Sequence, residues 1–380
     1  MKKRWMLLLC LFVCLLGVSV PVLAEQEPSV PPIEIDDVVQ ELGRELGAHG
    51  LQDALPHQAG DLLWGVSPTD VGDWQGSLNR MAGQAGQEAM GYIRNALRTL
   101  LLIMGILLLC GVVRQLRPTE GDGIDVVTMA GALAIGMTAL GEVNGLLEMG
   151  RQTLESMKTF ADLLLPVMAA AAAAGGHPAA GLAKQAAAVL FSDLLMTVVV
   201  GVCVPMLYGF LALSVANAAI GHDLLGKIAE FLRWLATRLL VLLMTAYVIY
   251  ITVSGVLSGA ADAVAVKTVK AAVGFVPVVG GIIADAADAV MAGASILQAS
   301  VGVFGMLAIL AVALTPFLRL GTAYLLYKVG TGVAGVVAEP RLNKLLGDIG
   351  SAFGLILGMV GAGVFLLMVA LLSSVRMVSG

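Results

Sequence analysis

The residues in this chain that could carry chemistry are few, and most of them share one stretch, residues 261–299. Asp262, Lys267 and Lys270 come first, Pro277, Gly280 and Gly281 interrupt the middle, and Asp285, Asp288, Ser295 and Gln298 follow. The proline and the glycine pair break an otherwise helical pattern, which predicts helix, hinge, helix, with the second arm starting near Ile282. On that arm the four polar residues fall mostly three or four apart, which sets them in one stripe on a helix otherwise walled by Ile, Val, Ala and Met. The chemistry open to such a stripe is ion or proton passage, or the lining of a conduit or subunit interface. Lipid cannot satisfy ionised groups or freed backbone, so a broken and partly charged segment lies against protein or a water-filled cavity. The competing reading lays both arms on the membrane surface as amphipathic helices, with the aspartates and lysines simply solvated.

Other chemistries lack candidates. There is no G-x-S-x-G nucleophile elbow and no H-E-x-x-H zinc motif. His49, His57, His177 and His222 are distant from one another in sequence, Cys10 and Cys14 lie in the N-terminal apolar run, and Cys110 and Cys203 fall inside predicted membrane helices. Neither a metal site nor a disulfide framework follows. Gly221 to Lys227, GHDLLGK, comes near to a phosphate-binding loop, but Ile228 stands where the magnesium-binding hydroxyl belongs and no strand precedes it. The expectation is a protein without enzymatic activity, cofactor or metal, and without a basic run that would point to nucleic acid. Outside the central stretch, Asp162 and Asp193 are the remaining acids that could line a path.

The elements that must position these residues are membrane helices. Of 380 residues, 58% are hydrophobic and only 13% charged, and the mean hydropathy is +0.92. An ordinary soluble domain carries about a quarter charged residues. The 46 glycines and many alanines suit helices packed through small side chains and argue against a barrel, whose strands would alternate polar and apolar. The fold expected is all-α: a polytopic helical membrane protein of roughly six to eight membrane helices, one or more broken or re-entrant, behind a small N-terminal extracytoplasmic helical region.

Lys2, Lys3 and Arg4 ahead of a short apolar run, with Val22 and Ala24 at the small-residue positions, read as a signal peptide over residues 1–24, cleaved between Ala24 and Glu25. Residues 25–95 follow as an acidic extracytoplasmic region, with twelve Asp or Glu against Arg44, Arg80 and Arg94. Ile35, Val38, Val39, Leu42 and Leu46 mark one face of a short helix, while Ser67, Pro68 and Asp70 read as the start of a helix running past Trp74 and Tyr92 into the membrane. So small a region cannot bury a large core and is expected to pack on the membrane domain or on a partner. Residues 96–380 form that membrane domain, with spans expected near 97–113, 124–147, 186–219, 239–257, 296–318, 320–337 and 353–372 and a short re-entrant segment at 160–174. Arg114 and Arg117, and the linker holding Lys227, Arg233 and Arg238, read as cytoplasmic, which allows two crossings between them.

The stretch GFVPVVGGIIADAADAVMAGASILQASVGVFGMLAI at 274–309, with LTPFLRLGTAYLLYKV at 314–329 and WGVSPTDVGDW ahead of the first span, resembles the stage III sporulation protein AE family of endospore-forming bacteria. The small-residue run after LLLPVMAA and the exported N-terminus agree, so the resemblance covers most of the chain. It implies a multi-pass protein of the mother-cell membrane around the forespore. It further implies work with the other stage III A proteins, an ATPase subunit among them, and with forespore-side partner proteins, in a channel or secretion-like conduit needed for forespore development. It supplies no catalytic residues. The alternative is a stand-alone secondary transporter or permease using the broken helix at 261–299. A third class, a scaffold acting through the acidic region, would leave the polar stripe dispensable.

Overall fold

The computed structural model describes residues 35–70, 72, 74–116, 125–274, 280–336 and 338–375, with the backbone alone at 35, 115, 255–274 and 280–287. The expected signal peptide with its cleavage site at Ala24 and Glu25, and the hinge residue Pro277, lie outside the described residues. Three short helices lead the described chain, α1 (Ile35–Glu45), α2 (Gly50–Asp53) and α3 (His57–Leu62). Six long ones follow: α4 (Trp74–Leu116), α5 (Val126–Ala174), α6 (Pro178–Ile220), α7 (Asp223–Gly274), α8 (Gly280–Ala334) and α9 (Pro340–Val375). Each of the six carries a stretch long and apolar enough to cross a membrane, which makes the fold an all-α polytopic membrane bundle.

Cross-helix contacts set the directions. Val215 meets Gly136, Tyr208 meets Asn144 and Asp193 meets Lys158, so α5 and α6 run antiparallel. Thr331, Tyr324 and Phe317 face Gly347, Gly354 and Gly361 in the same opposed order along α8 and α9. At one end of the bundle lie the α5–α6 turn and the C-terminal turns of α9, with α1 packed nearby. At the other lie Arg114, Asp125, Gly221 and the α8–α9 connection, gathered by Arg114 pairs to Asp125 (3.6 Å) and Glu339 (3.3 Å) and by Arg341 lying over Gly221. The two loops expected to share a side do share an end, with two crossings between them. α9 is the most enclosed strut, with 61% of its apolar stretch buried, whereas α4 at 22% lies on the outside.

The structure has fewer, longer helices than the apolar runs suggest. Residues 160–174 are the last turns of α5 and not a re-entrant segment, and Pro166 sits inside that helix. The polar interval ahead of them holds its helical form through ion pairs one turn apart, Arg151 with Glu148 (2.8 Å) and Glu155, and Lys158 with Asp162 (3.1 Å). Likewise the expected spans at 296–318 and 320–337 are one helix through Pro316, and the linker holding Lys227, Arg233 and Arg238 is the start of α7. Proline is tolerated inside membrane helices when neighbouring groups absorb the freed carbonyl. Ahead of Pro205 the accommodation is visible as a single π turn, Val199–Cys203.

The N-terminal region packs on the membrane helices, the first of the two placements expected. Val38 and Leu42 of α1 lie on Gly293 of α8, and Leu297 approaches Gly43. The helix expected to start at Ser67 begins only at Trp74. The capping geometry is present, with the Asp70 amide donating to Ser67 Oγ at 2.9 Å, but the Asp70 carboxylate then takes the Gly72 amide at 2.9 Å and closes a turn before the helix starts.

Two expectations follow from this packing. A Cβ at Gly293 would stand 2.8 Å from a Val38 methyl, whereas one at Gly141 would meet nothing. Gly293→Leu should therefore cost about 1–3 kcal/mol by overpacking and speed proteolytic cleavage between α1 and α3 in detergent-solubilised protein, with Gly141→Ala unchanged. Asp125 caps α5, accepting from Thr128 Oγ1 at 2.7 Å and from the Val127 and Thr128 amides at 3.1 and 3.3 Å. The Thr128 hydroxyl first, and the two amides after it, hold the carboxyl below its usual range against partial burial. A lowered folded pKa means that the stabilisation is present above about pH 3.9 and is lost as pH falls through the folded value. Asp125→Ala should then lower stability by about 1 kcal/mol at neutral pH, and thermal midpoints of variant and parent should converge once Asp125 is protonated in the folded chain.

Candidate functional site

The break expected around Pro277 lies outside the described residues, between the described parts of two long helices. α7 keeps helical backbone to Gly274 and α8 opens at Gly280, two residues ahead of the expected start at Ile282. Gly280 and Gly281 are thus on helical backbone. Asp262, Lys267 and Lys270 lie on the last turns of α7, and Asp285 on the second turn of α8, placed by backbone alone. Neither arm is a separate element; each is the end of a helix whose other turns form the bundle.

Along α8 the stripe passes from outside to inside. Asp288 is exposed, Ser295 is half-buried with its hydroxyl donating to the Met291 carbonyl at 2.8 Å, and Gln298 is 1% exposed. Gln298 Nε2 donates to the Ser374 carbonyl at 2.8 Å, and Lys184 of α6 donates to the neighbouring Ser373 carbonyl. The last carbonyls of a helix have no intrahelical donors and sit at the negative end of its dipole, so a buried amide and a buried ammonium are matched to them. Ser374 Oγ turns back to the Ala370 carbonyl at 3.0 Å. The α5–α6 turn closes over the same place: a Cβ on Gly175 would stand 3.3 Å from Ser295 Oγ. Four chain segments therefore converge where the stripe enters the bundle.

Polar groups that the sequence did not single out form a second layer between α4, α5 and α8. Tyr327 donates to Glu142 at 2.7 Å, and Glu88 accepts from Gln84 (2.7 Å), Tyr92 (2.9 Å) and Thr315 (3.2 Å). Glu142 as the lone acid in an apolar run was a usable signal; its tyrosine, 185 residues away, was not. Lys184 is a parallel case, a lone lysine in an alanine-rich segment whose acceptor is 189 residues distant. Asp162 and Asp193 are brought together by Lys158, at 3.1 and 3.0 Å, on an exposed face of α5 and α6. Among the described residues no cluster of His, Cys, Asp and Glu could hold a metal ion.

Comparison with known proteins identifies the family. The family model of stage III sporulation protein AE matches residues 66–377, a range that takes in all six long helices. The stage III sporulation protein AE of Bacillus subtilis (strain 168) is similar to this chain at 22% identity over 191 residues, 48% of this chain and 46% of the relative, so the match spans about half the relative's length. No solved structure matches. The chain belongs to the stage III sporulation protein AE family and is a multi-pass membrane protein with a role in sporulation.

Proposed function

We propose that the protein is a membrane subunit of the stage III A sporulation complex and contributes its helical bundle to a channel or secretion-like conduit between mother cell and forespore. In this reading it sits in the mother-cell membrane around the forespore, with residues 25–95 extracytoplasmic after removal of residues 1–24. It works beside an ATPase subunit and hydrolyses no nucleotide itself. The observation that carries the reading is the family match across all six spans. The polar ends of α7 and α8, with Asp262, Lys267, Lys270, Asp285 and Asp288 on helical backbone beyond the bundle's locked end, are the part proposed to line the conduit or a subunit interface. A stand-alone transporter would call for two corresponding broken helices. The segment at 160–174, expected to be re-entrant, runs unbroken within α5 and supplies no second break.

A tagged chain purified from sporulating cells should bring down the other stage III A proteins; recovery of the chain alone, under conditions that preserve other membrane complexes, rejects the assignment. Changing Asp285→Asn together with Asp288→Asn should reduce sporulation without removing the chain from the membrane, and full sporulation in that double variant withdraws the lining role. In a Cys110→Ala, Cys203→Ala background, a membrane-impermeant thiol reagent should label Asp288→Cys and spare Gln298→Cys. Equal labelling at both positions would place the two arms on the surface.

A further inference from the structure

At the end of the bundle opposite the α5–α6 turn, a cleft of about 420 Å³ opens between α7, α8 and α9. Arg233, Lys328, Lys344, Asp348, Asn343 and Ser351 line it, three cations against one carboxylate. Lys344 is partly neutralised by Glu230 at 3.1 Å, and Asp348 faces both Arg233 and Lys344. Arg233 donates to Ser351 Oγ at 3.1 Å and lies over the Phe210 ring, and the Lys328 ammonium lies 6.0 Å from the Tyr324 ring centre. Arg233 thus shares the Asp348 carboxylate with Lys344, whereas Lys328 has a neutral ring beside it and keeps its charge to offer. The Asn343 carbonyl oxygen is buried without a hydrogen-bond partner, and a half-turn of that amide presents its NH₂ to an acceptor instead. The floor is kept open by missing side chains: a Cβ at Gly335 would stand 3.2 Å from the Asn343 amide, and one at Gly347 3.4 Å from Thr331. The first turns of α9 form one wall.

We infer that this cleft binds a phosphate-bearing ligand, with Arg233, Lys328 and Lys344 on the phosphate. Convergent cations, a hydroxyl and an amide suit a group with several acceptor oxygens better than a single chloride ion. Asp348 is then the acceptor for a hydroxyl or ammonium on the group that the phosphate carries. The volume is within the range of small-ligand sites. Beside the cleft, Leu325, Val329 and Val333 form an exposed apolar ridge along α8, four residues apart, next to Lys328 and Thr331. That ridge is a surface for acyl chains, so a phospholipid head group and a soluble phosphate compound are the two sources of the same chemistry.

The experiment uses the full chain in detergent micelles, with binding read by thermal unfolding and tryptophan fluorescence against two probes, inorganic phosphate and phosphatidylglycerol. Protection by phosphatidylglycerol alone identifies a lipid head group as the source; protection by inorganic phosphate as well identifies a soluble one. In either case Lys328→Gln, an exposed position whose loss leaves the core intact, should weaken binding about tenfold, the loss of one charge-assisted contact. Arg238→Gln removes an exposed cation outside the cleft and should leave binding unchanged. The inference is overturned if neither probe protects the protein, or if Arg238→Gln weakens binding as much as Lys328→Gln does.

Discussion

Apolar helices in lipid gain little from touching one another, because a lipid tail is as good a neighbour as a leucine; what holds them is how closely they fit. In this bundle the fit depends on positions where one partner has no side chain. Tyr324 lies on Gly354, Leu164 on Gly305, Val215 on Gly136 and Leu154 on Gly363, and at each a Cβ would come closer than 3.0 Å to the facing group. Three of these four contacts join members of the set α5, α8 and α9, so those helices form the frame, and α4, α6 and α7 are laid against it. The polar contacts depend on the same registers. Gly302 seats Val375 and Met168 one turn from Gln298, and that seating carries Ser374 into reach of the glutamine.

With the frame set, the two ends of the bundle differ in how their backbone and polar groups are satisfied. Near the α5–α6 turn the Ser373 and Ser374 carbonyls of α9 are closed by Lys184 and Gln298, both almost fully buried. Removing either donor would strand a buried carbonyl, whose desolvation is costly. At the opposite end Glu339 Oε2 and Asn343 Oδ1 are buried with no hydrogen-bond partner, beside a cleft with spare positive charge. Among the described residues, the second end therefore holds polar capacity without a partner.

Much of this was legible from composition and local pattern. The apolar content required membrane helices, and the face of α1 followed from Val38, Val39 and Leu42. Helix continuity was not legible, because hydropathy reports where lipid is tolerated and says little about where a helix stops. Residues 148–159 are too polar for a span, yet their charges are spaced to pair along a helix, and no glycine or proline breaks the run after Gly150. The fate of Gln298 was equally hidden. Spacing put it on one stripe with Asp288, but a stripe on a helix that enters a bundle changes surroundings along its length, and the group that receives Gln298 is 76 residues away. Asp288, farther from that entry, keeps the exposure that the pattern suggested.

Topology connects the cleft to the break. The six spans alternate, so the N-terminal helices and the C-terminal turn of α9 share one end, and the break between α7 and α8 belongs to that same side. Arg114, Lys227, Arg341 and Lys344 cluster toward the other. The basic cleft and the polar ends of α7 and α8 therefore lie at opposite ends of the bundle, the latter on the same side as the N-terminal helices. α7 and α8, of 52 and 55 residues, are about 78 and 82 Å long against a hydrocarbon core of about 30 Å. Helices of that length must project well past the bilayer, and the projecting turns are the ones that bear the charged residues. Length alone therefore offers the charged residues near the ends of α7 and α8 a place beyond the hydrocarbon core.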